Sequence, residues 1–258
     1  MSGSAGRLEV VALDGMPEVR PGDDLGALIV AALEQTPDVL PLADDDVLVA
    51  TQKVVSKAEG AVVDLTTVEP RPEAIEWAQR WERDARAIEV VLREARRIVR
   101  MERGVLITET PHGFVCANGG VDASNVGPRS GDLVTLLPRD PDASAQRLRG
   151  ALRERFGTDV PVIISDSFGR PWRLGIVDVA IGVAGLAPID DLRGAPDADG
   201  RVMRTTVRAV ADELASAAEL ALGKAAGRPV ALVRHASFTR AEATIRDALL
   251  PAELDLFR

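Results

Sequence analysis

Apolar residues along this chain follow two rhythms: short runs of branched side chains, and longer stretches spaced three and four apart. The short runs predict strands at Leu8 to Leu13, Asp46 to Ala50, Ala61 to Leu65, Leu133 to Pro138, Val177 to Ala184 and Pro229 to Arg234. Val162, Ile163 and Ile164 open another, which is expected to stop at Ser165-Asp166-Ser167, with Gly169 and Pro171 breaking any regular element beyond. Val105 to Thr110 and Gly113 to Ala117 read as a hairpin around a turn that holds His112, expected to be solvated. Helical spacing places Leu25, Leu28, Ile29, Ala32 and Leu33 on one face, with Asp23 or Asp24 as cap and Pro37 as stop. Pro72 to Glu102 reads as two helices. The second is capped by Asp84, with Ile88, Val91, Leu92, Ala95, Ile98 and Val99 on one stripe and the Glu89–Arg93 pair on the other side. Trp77 and Trp81 read as core or interface. Asp142 or Ser144 caps a helix that ends at Gly157, and Thr205 or Thr206 opens an alanine-rich helix to about Ala226. Pro188 to Gly200, with four aspartates, reads as a loop. Helices and strands mix without strict alternation, so the expected fold class is α+β with mixed sheets. No internal repeat or low-complexity linker divides the chain, and residues 1–258 read as a single unit with room for two subdomains.

Composition narrows the function. At 258 residues and 46% hydrophobic content the chain can bury a sizeable core. Its net charge of -9 argues against nucleic acid, which needs a basic face. An anionic small molecule remains compatible, because a metal or a few local cations can reverse the field in a cleft. One cysteine, Cys116, excludes an intrachain disulfide and a cysteine-rich zinc site, and its apolar neighbours predict an inert packed thiol. No apolar run approaches the about 20 residues of a membrane span. Met1 to Gly6 lacks a signal-peptide core, so the expectation is a soluble cytoplasmic protein.

Three stretches carry candidate chemistry. In Ser165-Asp166-Ser167-Phe168-Gly169-Arg170-Pro171-Trp172-Arg173, an acid stands among hydroxyls near two arginines. That suits a metal-bound phosphate, since Mg²⁺ prefers one or two carboxylates plus phosphate oxygens. It also suits a capped strand end with a surface turn. Asn118 to Gly127 is a glycine-containing polar loop whose Asp122, Ser124 and Asn125 offer oxygen ligands or donors, Asp122 as a second carboxylate. Lys53 and Lys57 are four apart and share a face if helical, either as solvated lysines or as two cations around an anion. Arg86, Arg93, Arg96, Arg97 and Arg100 read as a solvated face. Familiar phosphate cradles are absent: no G-x-G-x-x-G follows a strand, and Gly223-Lys224 lacks both the upstream glycine and the following hydroxyl of a P-loop. With His112 and His235 as the only histidines, no H-E-x-x-H exists.

Taken together and in order, Gln52-Lys53-Val54-Val55-Ser56-Lys57-Ala58-Glu59-Gly60, Gly120-Val121-Asp122-Ala123-Ser124-Asn125-Val126 and the Ser165 to Arg173 stretch resemble the signatures of the coenzyme F-420-0:gamma-glutamyl ligases. Gly15-Met16-Pro17-Glu18-Val19, Asp23-Asp24, Asp140 to Ser144 and Ala180 to Gly185 match as well, so the resemblance covers nearly the whole chain.

The resemblance implies a GTP-dependent, metal-dependent ligase that joins L-glutamate to the terminal carboxylate of the deazaflavin coenzyme F-420 precursor and extends the tail through gamma linkages. It implies a family-specific α+β fold, an intertwined homodimer, and Mg²⁺ or Mn²⁺ as a pair of ions, with K⁺ as a possible further cation. By position, Met16, Pro17, Glu18, Val19, Gln52, Lys57 and Asn125 would contact GTP. Asp122 and Asp166 would ligate metal, Ser167 a second metal, and Lys57 and Asp166 would act in catalysis. Ser167 stands where the family often has threonine, and His235 where glycine is expected. The chain stops where the ligase unit normally ends, which implies the stand-alone form. Two other functions are compatible with the same residues: a metal-dependent GTP phosphohydrolase and a non-catalytic nucleotide-binding module.

Overall fold

A computed structural model describes residues 6–124, 131–224 and 226–256. The order is β1 (Glu9–Ala12), α1 (Leu25–Gln35), β2 (Val47–Thr51), α2 (Gln52–Ala58), β3 (Val62–Asp64), α3 (Pro72–Trp81), α4 (Ala85–Glu94), β4 (Arg97–Glu102), β5 (Val105–Glu109), β6 (Val115–Ala117), β7 (Leu133–Thr135), α5 (Pro141–Phe156), β8 (Val162–Arg170), β9 (Arg173–Ala184), β10 (Asp190–Asp191), β11 (Val207–Arg208), α6 (Val210–Leu222) and β12 (Val230–Arg234). Helices and mixed sheets make this an α+β arrangement, as expected.

The main sheet runs β1-β12-β2-β8-β9, with β2 and β8 parallel and the other neighbours antiparallel. Its central strands are apolar on both faces. Val47, Leu48, Val49 and Ala50 of β2 are fully buried, as are Val162, Ile163 and Ile164 of β8. Each such valine or leucine side chain contributes about 1.5–3 kcal/mol by leaving water. The buried Leu148 and Leu152 of α5 and Leu214, Ala215 and Ala218 of α6 join the same core. Gly182 of β9 permits the close approach of α5, because a Cβ there would stand 2.5 Å from the Pro141 carbonyl carbon. Trp77 belongs to a second, smaller core with Ile88, Val91 and Leu106.

Four expectations are corrected. β8 does not stop at Ser165. A bulge between Ile164 and Ser165 lets the ladder with β9 continue, so Asp166 lies within a long strand and Gly169 pairs with Ile176. The hairpin turns at Pro171-Trp172, with Trp172 at a left-handed φ of 57°. Second, the helical stripe ends at Leu92. Arg97–Glu102 is a strand, turned onto β5 through Arg103 and Gly104, both at positive φ as a two-residue hairpin requires. The expected Glu89–Arg93 pair forms at 2.7 Å, but Glu89 is buried and is also held by Arg71 at 2.8 Å. Arg86, Arg96, Arg97 and Arg100 are also ion-paired.

Third, α5 is capped by Asp140, whose Oδ1 accepts from the Ala143 N–H at 3.0 Å. Asp142 instead accepts from the Val183 and Ile245 N–H groups, tying the helix to β9 and to the C-terminal segment. Fourth, α6 starts at Val210 and ends at Leu222, because residues around Thr205 and Thr206 lead into β11, which pairs with β10 inside the expected acidic loop. Among the described residues no helix is long and apolar enough to cross a membrane.

Candidate active site

The chain's polar stretches meet in a cleft of ≈ 780 Å³. α2 follows β2 with no intervening loop, so Lys53 and Lys57 project one turn apart from the end of a buried strand. Lys57 is nearly buried, and its Nζ donates to Glu18 Oε1 at 2.6 Å. Lys53 Nζ donates to Asp122 Oδ2 at 2.6 Å, to the Ser124 carbonyl at 2.7 Å and to Ser124 Oγ at 2.8 Å. The two lysines thus share a face without repulsion, because each meets an acid. Gln52 is buried, and its amide donates to Ser56 Oγ at 2.8 Å and to the Leu136 carbonyl at 2.7 Å.

Asp122 arrives through a left-handed turn. Asn118, Gly119 and Gly120 have φ of 54°, 60° and 73°. A Cβ at Gly120 would also meet Leu137 at 2.6 Å. The Asp122 backbone then bridges Thr135, which fixes the carboxylate opposite Lys53. Burial pushes the Asp122 carboxyl up, but the Lys53 bond and the Ser124 N–H and hydroxyl outweigh it and hold the pKa below the ordinary value. Asp166 has no such relief. Burial pushes its carboxyl up to about 7; the Asp122 and Asp178 charges add to the rise, and the Ser167 N–H and Lys53 only partly oppose it. Ser167 Oγ donates to Asp178 Oδ1 at 2.6 Å and accepts from Lys224 Nζ.

Residues 15–235 match the family model described as F420-0:Gamma-glutamyl ligase. The chain belongs to that family. It is 44% identical over 254 residues to the coenzyme F420:L-glutamate ligase of Methanothermobacter thermautotrophicus, covering 97% of this chain and 99% of that one. It is 48% identical over 229 residues to the Methanopyrus kandleri protein of the same name, covering 88% and 86%. For that of Methanocaldococcus jannaschii the identity is 40% over 253 residues, covering 98% and 97%. Membership makes the chain a ligase.

Within this ligase, Pro17, Glu18, Val19, Gln52, Lys57, Asp122, Asp166 and Ser167 all line the one cleft. Met16 does not; it packs half-buried against the main core. Asn125 lies outside the described residues. Arg170 and Arg173 are exposed at the far end of the β8–β9 hairpin. His112 is half-buried rather than solvated, stacked on Phe114 with Nε2 at 3.0 Å from the Pro138 carbonyl. Cys116 is buried and inert, its thiol pushed up to about 12 by burial and then by the Asp166 charge. His235 has φ of 60°, a left-handed backbone that accounts for the glycine expected there.

Asp178, Glu219, Lys224 and Arg228 also line the cleft and escape the sequence reading. Asp178 carried a signal: it is a lone acid in the apolar run Ile176 to Ala184. Lys224 was visible only as a failed P-loop lysine.

The donors here are all oxygens, which fits a hard cation such as Mg²⁺ or Mn²⁺. Among the described residues no group of three histidine, cysteine or acidic side chains is arranged to hold a metal. A cation here would therefore complete its shell from hydroxyl, phosphate and water oxygens. The Asp122 and Asp178 charges that help raise the Asp166 carboxyl are charges a bound cation would offset.

Proposed function

We propose that the chain joins the amine of L-glutamate to a carboxylate of the coenzyme F420 precursor, with cleavage of GTP, and then extends the gamma-linked tail. The observation that carries this reading is the convergence of residues 51–57, 117–124 and 165–167 on one cleft, where lysines and carboxylates face each other. An amide cannot form from a free carboxylate without a leaving group. A γ-phosphate supplies one: a carboxylate oxygen of the acceptor attacks phosphorus, GDP leaves, and an acyl phosphate remains. The glutamate amine then attacks the acyl carbon, phosphate leaves, and the amine gives up its proton.

Such phosphoryl transfer depends on positioning and charge neutralisation. Lys57 and Lys53 supply fixed cations for the phosphates, and Pro17, Glu18, Val19 and Gln52 line the nucleotide side. Met16 would support this side from behind, and Asn125 is assigned to GTP as well. Asp122, Asp166 and Ser167 would hold Mg²⁺ or Mn²⁺, with K⁺ as a further cation. The metal, when bound, would neutralise phosphate charge and polarise the transferring group. We further propose a homodimer. Trp172, Leu174 and Ile176 expose a run of apolar surface on the β8–β9 hairpin, of the kind a second copy covers.

Mass spectrometry of purified protein incubated with GTP, Mn²⁺, glutamate and the unglutamylated coenzyme tests the reading. Gain of glutamyl residues on the coenzyme is the expected result. Phosphate release from GTP without the coenzyme would indicate a phosphohydrolase, and GTP binding without turnover a nucleotide-binding module.

A further inference from the structure

Asp178 is 2% exposed, yet it sits between valines on a strand that is otherwise apolar toward its C-terminal end. Its carboxylate collects three donors. Ser165 Oγ donates to Oδ2 at 3.0 Å, Ser167 Oγ donates to Oδ1 at 2.6 Å, and Lys224 Nζ donates to Oδ1 at 2.9 Å. A serine hydroxyl has one proton and two lone pairs. With its proton committed to Asp178, Ser167 turns only lone pairs toward the cleft. It can accept from a cation there, but it cannot donate to a phosphate oxygen.

Lys224 supplies such a cation, since its ammonium donates to Ser167 Oγ as well as to Asp178. Lys224 is far more exposed than Lys57. It follows Gly223 just beyond the end of α6, it is half-exposed, and among the described residues its third partner is Glu219 of α6 at 3.1 Å. A lysine is a compact charge on a flexible four-carbon stem, suited to moving between partners.

We infer that Asp178 is a positioning residue that makes Ser167 a seat for a cation, and that the Lys224 ammonium holds this seat until a divalent metal displaces it. The inference rests on the proposed metal-facing role of Ser167. Lys224 and the metal then compete for one oxygen. Removing the ammonium favours metal binding, and removing the carboxylate that orients Ser167 disfavours it. Once displaced, Lys224 becomes a mobile cation at the cleft wall.

The test is Mn²⁺ affinity by electron paramagnetic resonance on nucleotide-free protein, for wild type, Lys224→Met, Asp178→Asn and the double variant. Lys224→Met should tighten Mn²⁺ binding roughly fivefold or more, since the half-exposed ammonium no longer competes for the Ser167 oxygen. Asp178→Asn should weaken it roughly tenfold, and in the double variant the gain from Lys224→Met should shrink. A second readout follows the lysine itself: Mn²⁺ should speed acetylation of Lys224 in wild type, seen by peptide mass spectrometry. Circular dichroism reports the fold of each variant. If Asp178→Asn does not fold, Lys224→Met and the acetylation rate decide alone, because Lys224 is not in the core. Unchanged Mn²⁺ affinity in folded Lys224→Met, no Mn²⁺ binding by wild type, or acetylation indifferent to Mn²⁺ would overturn the inference. These measurements use neither GTP nor acceptor. Shifts as expected in a protein that makes no amide would therefore sink the ligase chemistry and leave the seat standing.

Discussion

Lys57 Nζ lies 2.6 Å from Glu18 Oε1, and the two halves of this ion pair are unequally held: the lysine side chain is 11% exposed and the glutamate 64%. The cation is built into the cleft, whereas the anion is replaceable. A nucleotide phosphate would take the place of Glu18 rather than recruit a new charge. Lys57→Ala is therefore expected to weaken GTP binding by about 1.5–3 kcal/mol, the range for a hydrogen bond to a charged group, while leaving glutamate binding nearly unchanged. Calorimetry with metal present measures both, and equal GTP affinity in the variant would remove Lys57 from the nucleotide site.

Asp166→Asn is expected to abolish amide formation without unfolding the chain. The raised carboxyl pKa sets the sign of the variant's effect on stability. Burial first, and then Asp122 and Asp178, raise the folded carboxyl from 3.8 to about 7. The protonated form is thus favoured by folding, a contribution fully present below about pH 4 and lost as pH rises through about 7. An amide keeps the neutral state at every pH. In chelator at pH 8 the variant should be more stable than wild type, by about 1–2 kcal/mol after allowance for partial exposure. The two should converge near pH 4. Denaturant melts at both values check this, and a less stable variant at pH 8 would contradict it.

Glu89 behaves in the opposite sense. The Arg71 hydrogen bond, ahead of the opposing burial and with help from Arg93, lowers its pKa from 4.5 to about 2. Its stabilising contribution is present above about pH 4.5 and is lost as pH falls toward about 2. Glu89→Gln should cost about 1–3 kcal/mol at pH 7, with a difference that shrinks through that acid window. Because Glu89 lies outside the cleft, kcat at 25 °C should be unaffected. A pH-independent loss would show that packing, not charge, is what Glu89 provides.

The β8–β9 hairpin carries Leu174 at 99% and Trp172 at 83% exposure. If a second copy covers this tip, Leu174→Asp should convert a dimer into monomers in light scattering without lowering the melting temperature of the isolated chain. A wild-type monomer, or a variant that stays dimeric, would place the subunit contact elsewhere.

Local pattern was enough for the elements that are buried on both faces, such as Val47 to Ala50 and Val162 to Ile164, because their apolar runs leave few alternatives. It singled out Lys53, Lys57, Asp122 and Asp166 as charge or oxygen donors beside a strand, but left each open to a solvated or loop reading; only the resemblance gave them roles, and the structure brings them into one cleft. It failed where partners distant in the chain decide. Ser165 to Arg170 looks like a strand end, but the ladder from β9 extends it. Ile98 and Val99 continue a helical spacing, yet pairing with β5 makes them strand. Glu89 reads as half of a surface pair until Arg71, 18 residues upstream, closes over it. Asp178 is hidden for the same reason: its meaning depends on Ser167 and on Lys224, 46 residues away.

Oxygen-18 in the terminal carboxylate of the acceptor reports whether GTP cleavage activates that carboxylate, as proposed. One labelled oxygen should appear in the phosphate released for each amide formed, because the oxygen that attacks phosphorus leaves with it. GDP, phosphate and amide should appear in equal amounts, and none without the acceptor. Phosphate that carries no label while amide accumulates would contradict the account.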